Sequence, residues 1–219
     1  MEICYRPIVP GDTDQLIELL MRGRPSITRL SNKFVYTAII QEALKSKKIF
    51  CLVAVKNDNL IGYVFAATDW HRFQRLFILN HPLVALMIIV KEIQRLITRN
   101  VAEILRGTKP VISSSYTSLT ENYQSKDNQK TIARIIHVGV EETERSKGIA
   151  SSLYAALRKY LEKEGVTRIE ANISEGNFAS VRLHERAGWT MVKNPTGYFA
   201  FINTSEEKDG NTSLVKSCL

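Results

Sequence analysis

The chain has 219 residues, of which 44% are hydrophobic and 24% charged, and its net charge is +8. This length and composition are typical of one globular domain with room for an insertion, and they exclude fibrous and low-complexity classes. The three cysteines, at positions 4, 51 and 218, lack metal-ligand spacing and form no disulfide framework. An odd, scattered set of cysteines favours a reducing compartment.

The positive charge favours an anionic partner. Basic residues alternate with Glu along most predicted helices, so nucleic-acid binding is not expected, whereas a ligand with several phosphates is compatible. Residues 1–10 contain charges and prolines instead of an apolar stretch, which argues against a signal peptide. The longest apolar run, residues 83–90, is too short to span a bilayer. We therefore predict a cytoplasmic protein without a stable membrane span.

The N-terminal part alternates between strand-like and helix-like segments. A strand is predicted at residues 3–8, helices at 13–21 and 31–44, and strands at 49–56 and 60–68. Asn57-Asp58-Asn59 separates the last two strands and is typical of a hairpin turn.

Residues 70–130 are less regular and are interpreted as a helical and loop insertion. A proline near its first turn marks a helix at 82–98, and residues 113–130 are polar enough to form a long loop. Apolar residues recur three or four positions apart along the helix, from Leu83 to Ile97. A helix packed on the body, a homodimer contact and a substrate lid are all compatible with this spacing.

The C-terminal part gives clearer signals. Strands are predicted at residues 131–140, 166–173 and 198–202, and helices at 147–164 and 178–187, which end at Gly165 and Gly188. Residues 204–219 are polar and are expected to form a flexible tail. The domain is therefore predicted to span residues 1–203.

A short turn, Arg145-Ser146-Lys147-Gly148-Ile149-Ala150, connects one of these strands to the long helix. The first turn of a helix has unpaired N–H groups and the positive end of the helix dipole. Gly148 lets an anion approach the backbone, and Arg145 and Lys147 add positive charge. The turn is thus a candidate anion site, although an ordinary helix start with a packing glycine has the same pattern.

The sequence resembles the GNAT superfamily of N-acetyltransferases in three blocks. The first is the strand 132–140 with the turn 145–150, the second is the strand 168–173, and the third is the run from Asn177 to Trp189. The resemblance implies a mixed α/β (α+β) fold, with a mostly antiparallel central sheet, a splayed strand pair and flanking helices. It also implies acetyl-CoA as co-substrate, no metal, and a primary amine of a small molecule as acceptor.

The resemblance also implies roles for single residues. Backbone groups of Val138 and Val140 would contact pantetheine, and the amides of Arg145, Ser146, Lys147, Gly148, Ile149 and Ala150 would bind the pyrophosphate. Asn177 would lie near the pantetheine arm, while Ser180 and His184 would face the sulfur. Glu141, Glu142 and Glu144 would point away from the phosphates.

Acyl transfer from a thioester to an amine requires a neutral amine, a stabilised oxyanion and a proton for the departing thiolate. His184 stands where the family has tyrosine, and an imidazole can donate a proton near neutral pH. Glu141, His137 and Asp69 are alternatives for the base, and Glu141 is preferred among them.

The acceptor is less defined by the sequence. His71, Arg72, Arg75 and His81 could receive an anionic acceptor, for example a nucleotide-linked amino sugar, or they form a solvated basic turn. A peptide or protein amine remains an alternative acceptor. A GNAT-like module that binds acyl-CoA without turnover is a further alternative.

Overall fold

The computed structural model describes residues 2–22, 26–46, 48–68, 75, 77–87, 89–90, 93–94 and 131–205, with the backbone alone at 26–32. The predicted loop at 113–130, the tail beyond residue 205, and Asp69, His71 and Arg72 lie outside these ranges.

Seven strands and four principal helices form the described part of the chain. In chain order they are β1 (Cys4–Pro7), α1 (Thr13–Met21), α2 (Ser26–Lys45), β2 (Ile49–Lys56), β3 (Asn59–Ala67), β4 (Ile132–Val140), α3 (Ile149–Lys163), β5 (Arg168–Ser174), α4 (Phe178–Arg186), β6 (Thr190–Asn194) and β7 (Gly197–Asn203). The sheet order is β1-β2-β3-β4-β5-β7-β6. All neighbours are antiparallel except β4 and β5.

The predicted fold class is confirmed, with differences in single elements. The hairpin turn between β2 and β3 places Asn57 and Asp58 at positive φ, 50° and 62°, as a tight two-residue turn requires. Strand β6 was not predicted, because Thr190, Lys193 and Asn194 break its apolar pattern. A polar strand of this kind suits its place at the edge of the sheet.

Two apolar clusters cover opposite faces of the sheet. Helix α3 buries Leu153, Leu157 and Leu161 against one face, which confirms the stripe predicted from their spacing of four. Helices α1 and α2 cover the other face, with Leu16 and Ile40 fully buried. Each such side chain contributes about 1.5–3 kcal/mol by leaving water.

Strands β4 and β5 pair only at one end. Their parallel ladder joins Ile132 to Arg168, Ala133 to Ile169 and Arg134 to Glu170. Beyond these three pairs β5 continues beside β7 and β4 continues beside β3. The predicted splayed pair is therefore present.

A β-bulge interrupts β4 just after the splay begins. Phe65 pairs with His137 and Ala66 pairs with Ile135, so Ile136 is the extra residue. His137 and Gly139 consequently share the sheet face of their partners Phe65 and Tyr63, which belong to the α1–α2 cluster. Val138 and Val140 pack on the opposite, α3 side.

Part of the insertion is helical and attached to α2. Residues 77–80 and 82–87 are helical, and backbone hydrogen bonds from His81 to Phe77 and from Ala85 to His81 connect the two runs. The carboxylate of Glu42 accepts a hydrogen bond from Asn80 at 3.1 Å and lies 3.2 Å from Nε2 of His81. Among the helices that the structure describes, none is long and apolar enough to cross a bilayer.

Candidate active site

A cleft of about 590 Å³ opens where β4 leaves β5. Three segments line it: the end of β4, the turn into α3 with the first turn of that helix, and one face of α4 along its whole length. The lining residues are Val138, Gly139, Val140, Glu144, Arg145, Ser146, Gly148, Ile149, Ala150, Ser151, Asn177, Ala179, Ser180, Arg182, Leu183 and Arg186. The structure therefore brings together most of the residues predicted to bind the coenzyme.

The turn into α3 presents backbone donors to this cleft. Gly148 is the N-cap residue, with φ 79° and no side-chain cap. The first intrahelical bond is donated by Ser152 to the Gly148 carbonyl at 3.0 Å. The amides of Ile149, Ala150 and Ser151 thus precede the first intrahelical donor, Ser152, and remain available to an anion.

The start of α4 forms the opposite wall of the cleft. Asn177 caps this helix, and its Oδ1 accepts a hydrogen bond from the Ser180 amide at 3.2 Å. The bond fixes the entry of α4 and so the position of the Ser180 hydroxyl. Both residues were predicted near the pantetheine arm, and both line the cleft.

Arginines give the cleft a positive charge. Arg145, Arg182 and Arg186 line it together with a single carboxylate, Glu144. Sequence reasoning assigned no role to Arg182 and Arg186. Their spacing of four on a predicted helix was the available signal, because it places both on one face.

The acidic turn before α3 differs from expectation in two respects. Glu144 lines the cleft instead of pointing away from it, and Lys147 is absent from the lining. The Glu144 carboxylate accepts hydrogen bonds from Lys56 at 2.9 Å and from Lys147 at 3.1 Å. These two bonds lower the pKa of Glu144. Lys147 therefore neutralises a carboxylate at the rim.

His184 lies in the interior rather than along the cleft. Its side chain is buried, with 1% exposure, and its ring meets Trp189 edge-on. Nδ1 lies 2.7 Å from the Ser180 carbonyl oxygen and Nε2 lies 3.3 Å from Oη of Tyr154. Burial lowers the pKa of His184, although the bond to Ser180 opposes this effect. The geometry is that of a neutral packing histidine, not of a proton donor to the sulfur.

Glu141 is also engaged outside the cleft. Its carboxylate forms an ion pair with Arg22, the residue that ends α1. Its amide donates to the Ile61 carbonyl at 2.8 Å. A carboxylate held by a guanidinium is a weak base, so this position does not favour Glu141 as the group that accepts the amine proton.

A histidine–tyrosine pair lies on the α1–α2 face of the splayed strand. Nδ1 of His137 is 2.9 Å from Oη of Tyr63, and the two rings stack with centroids 5.6 Å apart. Tyr63 is buried, whereas His137 is exposed. Gly139 makes room for the pair, because a Cβ there would lie 2.6 Å from the tyrosine ring.

Other predicted groups are not brought to the cleft. His81 is bound to Glu42, and Arg75 does not line the cleft. In the part of the chain that the structure describes, no group of three or more His, Cys, Asp or Glu residues could hold a metal ion.

The model of the Acetyltransferase (GNAT) family matches residues 115–189 of this chain. This match includes β4, the turn, α3, β5 and α4. No curated protein is significantly similar to the sequence.

Several solved structures share the fold. The PaiA N-acetyltransferase of Thermoplasma acidophilum, in complex with coenzyme A, is 11% identical with a TM-score of 0.55, covering 93% of this chain and 99% of that one. NAA60 of Arabidopsis thaliana, in complex with a bisubstrate analogue, is 19% identical with a TM-score of 0.52, covering 92% and 95%. AAC(6')-Iy, in complex with the bisubstrate analogue CoA-S-monomethyl-acetylneamine, is 13% identical with a TM-score of 0.53, covering 89% and 95%.

Proposed function

We propose that this chain, of which residues 115–189 match the GNAT family model, transfers an acetyl group from acetyl-CoA to a primary amine of a small molecule. The observation that carries this proposal is the cleft beside the splayed strand. The cleft is lined by unpaired backbone amides at the start of α3, by arginine side chains, and by the end of β4, which no longer pairs with β5 there.

We propose that the turn binds the pyrophosphate. The amides of Ile149, Ala150 and Ser151 point their hydrogens towards the anion, and the dipole of α3 adds to their field. Arg182 and Arg186 extend the positive surface from the turn along α4, where they neutralise further phosphate charge. Val138 and Val140 present main-chain groups to pantetheine on the side that β5 has left.

On the acceptor side, His137 is the proposed base. The bulge at Ile136 aims it at the sheet face opposite the α3 cleft, one residue from Val138. Nδ1 lies 2.9 Å from the Tyr63 hydroxyl, which orients the ring, and a neutral imidazole carries one lone pair. This lone pair takes the proton that the amine loses as its nitrogen bonds to the thioester carbonyl.

The remaining step breaks the carbon–sulfur bond. Main-chain N–H groups at the splay, near Val138, stabilise the oxyanion. The Ser180 hydroxyl, which lines the cleft, donates a hydrogen bond to the departing thiolate. His184 does not contact the thiolate. It acts indirectly, because its Nδ1 is hydrogen-bonded to the Ser180 carbonyl oxygen and helps to hold Ser180 in place.

A small-molecule amine is the proposed acceptor class, and an amino sugar is one member of it. The neighbours with acceptor-like ligands include an enzyme bound to an acetylneamine conjugate and NAA60 bound to a bisubstrate analogue. A peptide or protein amine is the second acceptor class to test, because a ribosomal-protein-S18-alanine N-acetyltransferase of Escherichia coli is also among the structural neighbours. A non-catalytic acyl-CoA-binding module is a further candidate, because His184 is buried and Glu141 is paired.

A matched pair of variants tests coenzyme binding. Ser151→Asp places a carboxylate in the first turn of α3, where a negative charge stabilises the helix but repels pyrophosphate. Lys159→Gln changes the net charge by the same amount on an exposed residue of the same helix. We expect acetyl-CoA to raise the melting temperature of the wild type and of Lys159→Gln, but not of Ser151→Asp. Equal shifts in all three proteins would reject the proposed site.

Turnover is tested separately. Release of free thiol from acetyl-CoA is measured with amino sugars, polyamines, aminoglycosides and peptides as acceptors. Release with one small-molecule class supports the proposal, and release with peptides alone reassigns the acceptor. Binding of acetyl-CoA without release for any amine supports the non-catalytic module.

A further inference from the structure

The helix of the insertion has an apolar face that points outward. Leu79 is 74% exposed, Leu83 76%, Leu86 56%, Val90 44% and Ile93 50%. Its inner face is occupied, since Phe77 and Ala85 are buried and Asn80 and His81 bind Glu42 of α2. Soluble proteins rarely expose so many adjacent large apolar residues without a partner.

The spacing of this outer face indicates what covers it. The five residues follow one another at intervals of four, three, four and three. This is the heptad alternation by which one helix packs into another, and Leu76 and Ile97 continue it in the sequence at both ends. A second helix with the same spacing is therefore the shape that fits.

The charge close to this face permits an identical partner. Two copies that each carry +8 repel one another. From Phe77 to Val90 the sequence contains no Asp, Glu, Lys or Arg, and Lys91 and Glu92, which follow before Ile93, have opposite charges, so the face itself adds little like-charge contact. Arg75 and Lys91 flank this stretch, so docking on an anionic bilayer is the alternative that the experiment must separate.

The area is also appropriate for self-association. Ile78 and Ile89, 51% and 52% exposed, widen the face on one side. Together these side chains offer roughly 700 Å² per protomer, close to the about 800 Å² per partner of a standard interface. We propose that the outer face formed by Leu79, Leu83, Leu86, Val90 and Ile93 is a homodimer contact, made by the same face of two copies around a twofold axis.

The twofold axis makes a specific geometric demand. The proposed axis passes at Leu86, the middle residue of the five, so that Leu86 faces its own copy whether the two helices run parallel or antiparallel. Leu79 meets its own copy only in the parallel arrangement. Cross-linking at Leu86 therefore tests whether the two helices are in contact, and cross-linking at Leu79 tests whether they run parallel. Neither measurement depends on acyl transfer.

Sedimentation of the full chain at tens of micromolar tests the proposal. We expect the wild type at twice 24.8 kDa, and Leu83→Glu/Leu86→Glu as a monomer with dimerisation weakened at least about 100-fold. Phe178→Glu is the matched control, because Phe178 is 70% exposed on α4, across the sheet. It should remain dimeric. Circular dichroism checks that both variants are folded.

A cross-linking experiment tests the same dimer contact without charged substitutions, in case Leu83→Glu/Leu86→Glu does not fold. Leu86→Cys should form an intermolecular disulfide under mild oxidation, since the two thiols face one another, whereas Phe178→Cys should not. A monomeric wild type, or a dimer that survives Leu83→Glu/Leu86→Glu, overturns the proposal. A monomer that co-sediments with phosphatidylserine vesicles through Leu83 and Leu86 overturns it in favour of a lipid surface.

Discussion

Tyr154 on α3 and His184 on α4 lie with Oη and Nε2 3.3 Å apart in the interior of the domain. The Ser180 carbonyl near Nδ1 can only accept a hydrogen bond, so Nδ1 carries the proton. Nε2 consequently accepts from the Tyr154 hydroxyl. This assignment makes His184 a neutral link between the two helices, with Trp189 packed across its ring.

The first prediction concerns pH and stability. Because the pKa of His184 is lower in the folded chain than its reference value of 6.5, the unfolded chain binds its proton first as the pH falls. The histidine's contribution to stability is therefore complete above about pH 6.5 and declines as the pH falls towards its folded pKa. Denaturant unfolding from pH 7.5 to pH 5 should show this decline.

His184→Gln separates the titration from the packing. Glutamine can donate to the Ser180 carbonyl and accept from Tyr154 but does not titrate. We expect a loss of about 1–3 kcal/mol at pH 7.5 and a flatter dependence of unfolding free energy on pH. A variant with the full wild-type slope would show that another group titrates.

The second prediction distinguishes two candidate bases. His137→Gln should lower kcat at least about 100-fold, with acetyl-CoA affinity unchanged. Glu141→Gln should leave kcat within about threefold and cost only about 0.2–1 kcal/mol of stability, because Arg22 is 59% exposed. Steady-state kinetics and denaturant unfolding measure both. A larger loss of kcat in Glu141→Gln than in His137→Gln would identify Glu141 as the general base.

The third prediction concerns the support of His137. Gly139→Ala places a methyl group against the Tyr63 ring, so the ring must move and the bond to His137 must lengthen. We expect kcat to fall about 10-fold or more, and Tyr63→Phe to lower it similarly without the steric conflict. Gly139→Ala should also reduce stability by about 1–3 kcal/mol. Unchanged turnover in both variants would mean that the pair does not orient the base.

The fourth prediction concerns the arginines of α4. Arg182→Gln and Arg186→Gln should each weaken acetyl-CoA binding about 3- to 10-fold at low salt, and the difference should shrink as salt rises. Lys159→Gln, an exposed charge on α3 outside the cleft, serves as the control. Calorimetry measures the three constants. An equal effect of all three substitutions would indicate only the general charge of the protein.

The sequence could predict those parts of the fold that depend on local patterns. The spacing of Leu153, Leu157 and Leu161 was sufficient for α3, and glycine with flanking basic residues was sufficient for its N-terminal turn. Strand β6 was missed because it owes its existence to pairing with β7, a tertiary effect that overrides its polar residues.

The position of catalytic side chains was harder to predict, because it depends on contacts between distant segments. Nothing adjacent in sequence indicates that Arg22 binds Glu141, or that Tyr154 binds His184. His137 was placed on its face by a bulge of one residue, and such a bulge reverses the alternation from which a strand's faces are inferred.

The short ladder between β4 and β5 has a mechanical consequence. The sheet consists of two plates, one of four strands and one of three, that share a seam of three residue pairs at one edge. A ligand in the cleft would contact β4 of the four-stranded plate and α4, the helix that follows β5 of the three-stranded plate, and would so connect the two plates at a second place, distant from the seam. Amide exchange in both plates should then slow when the coenzyme binds, including at strands that never contact it.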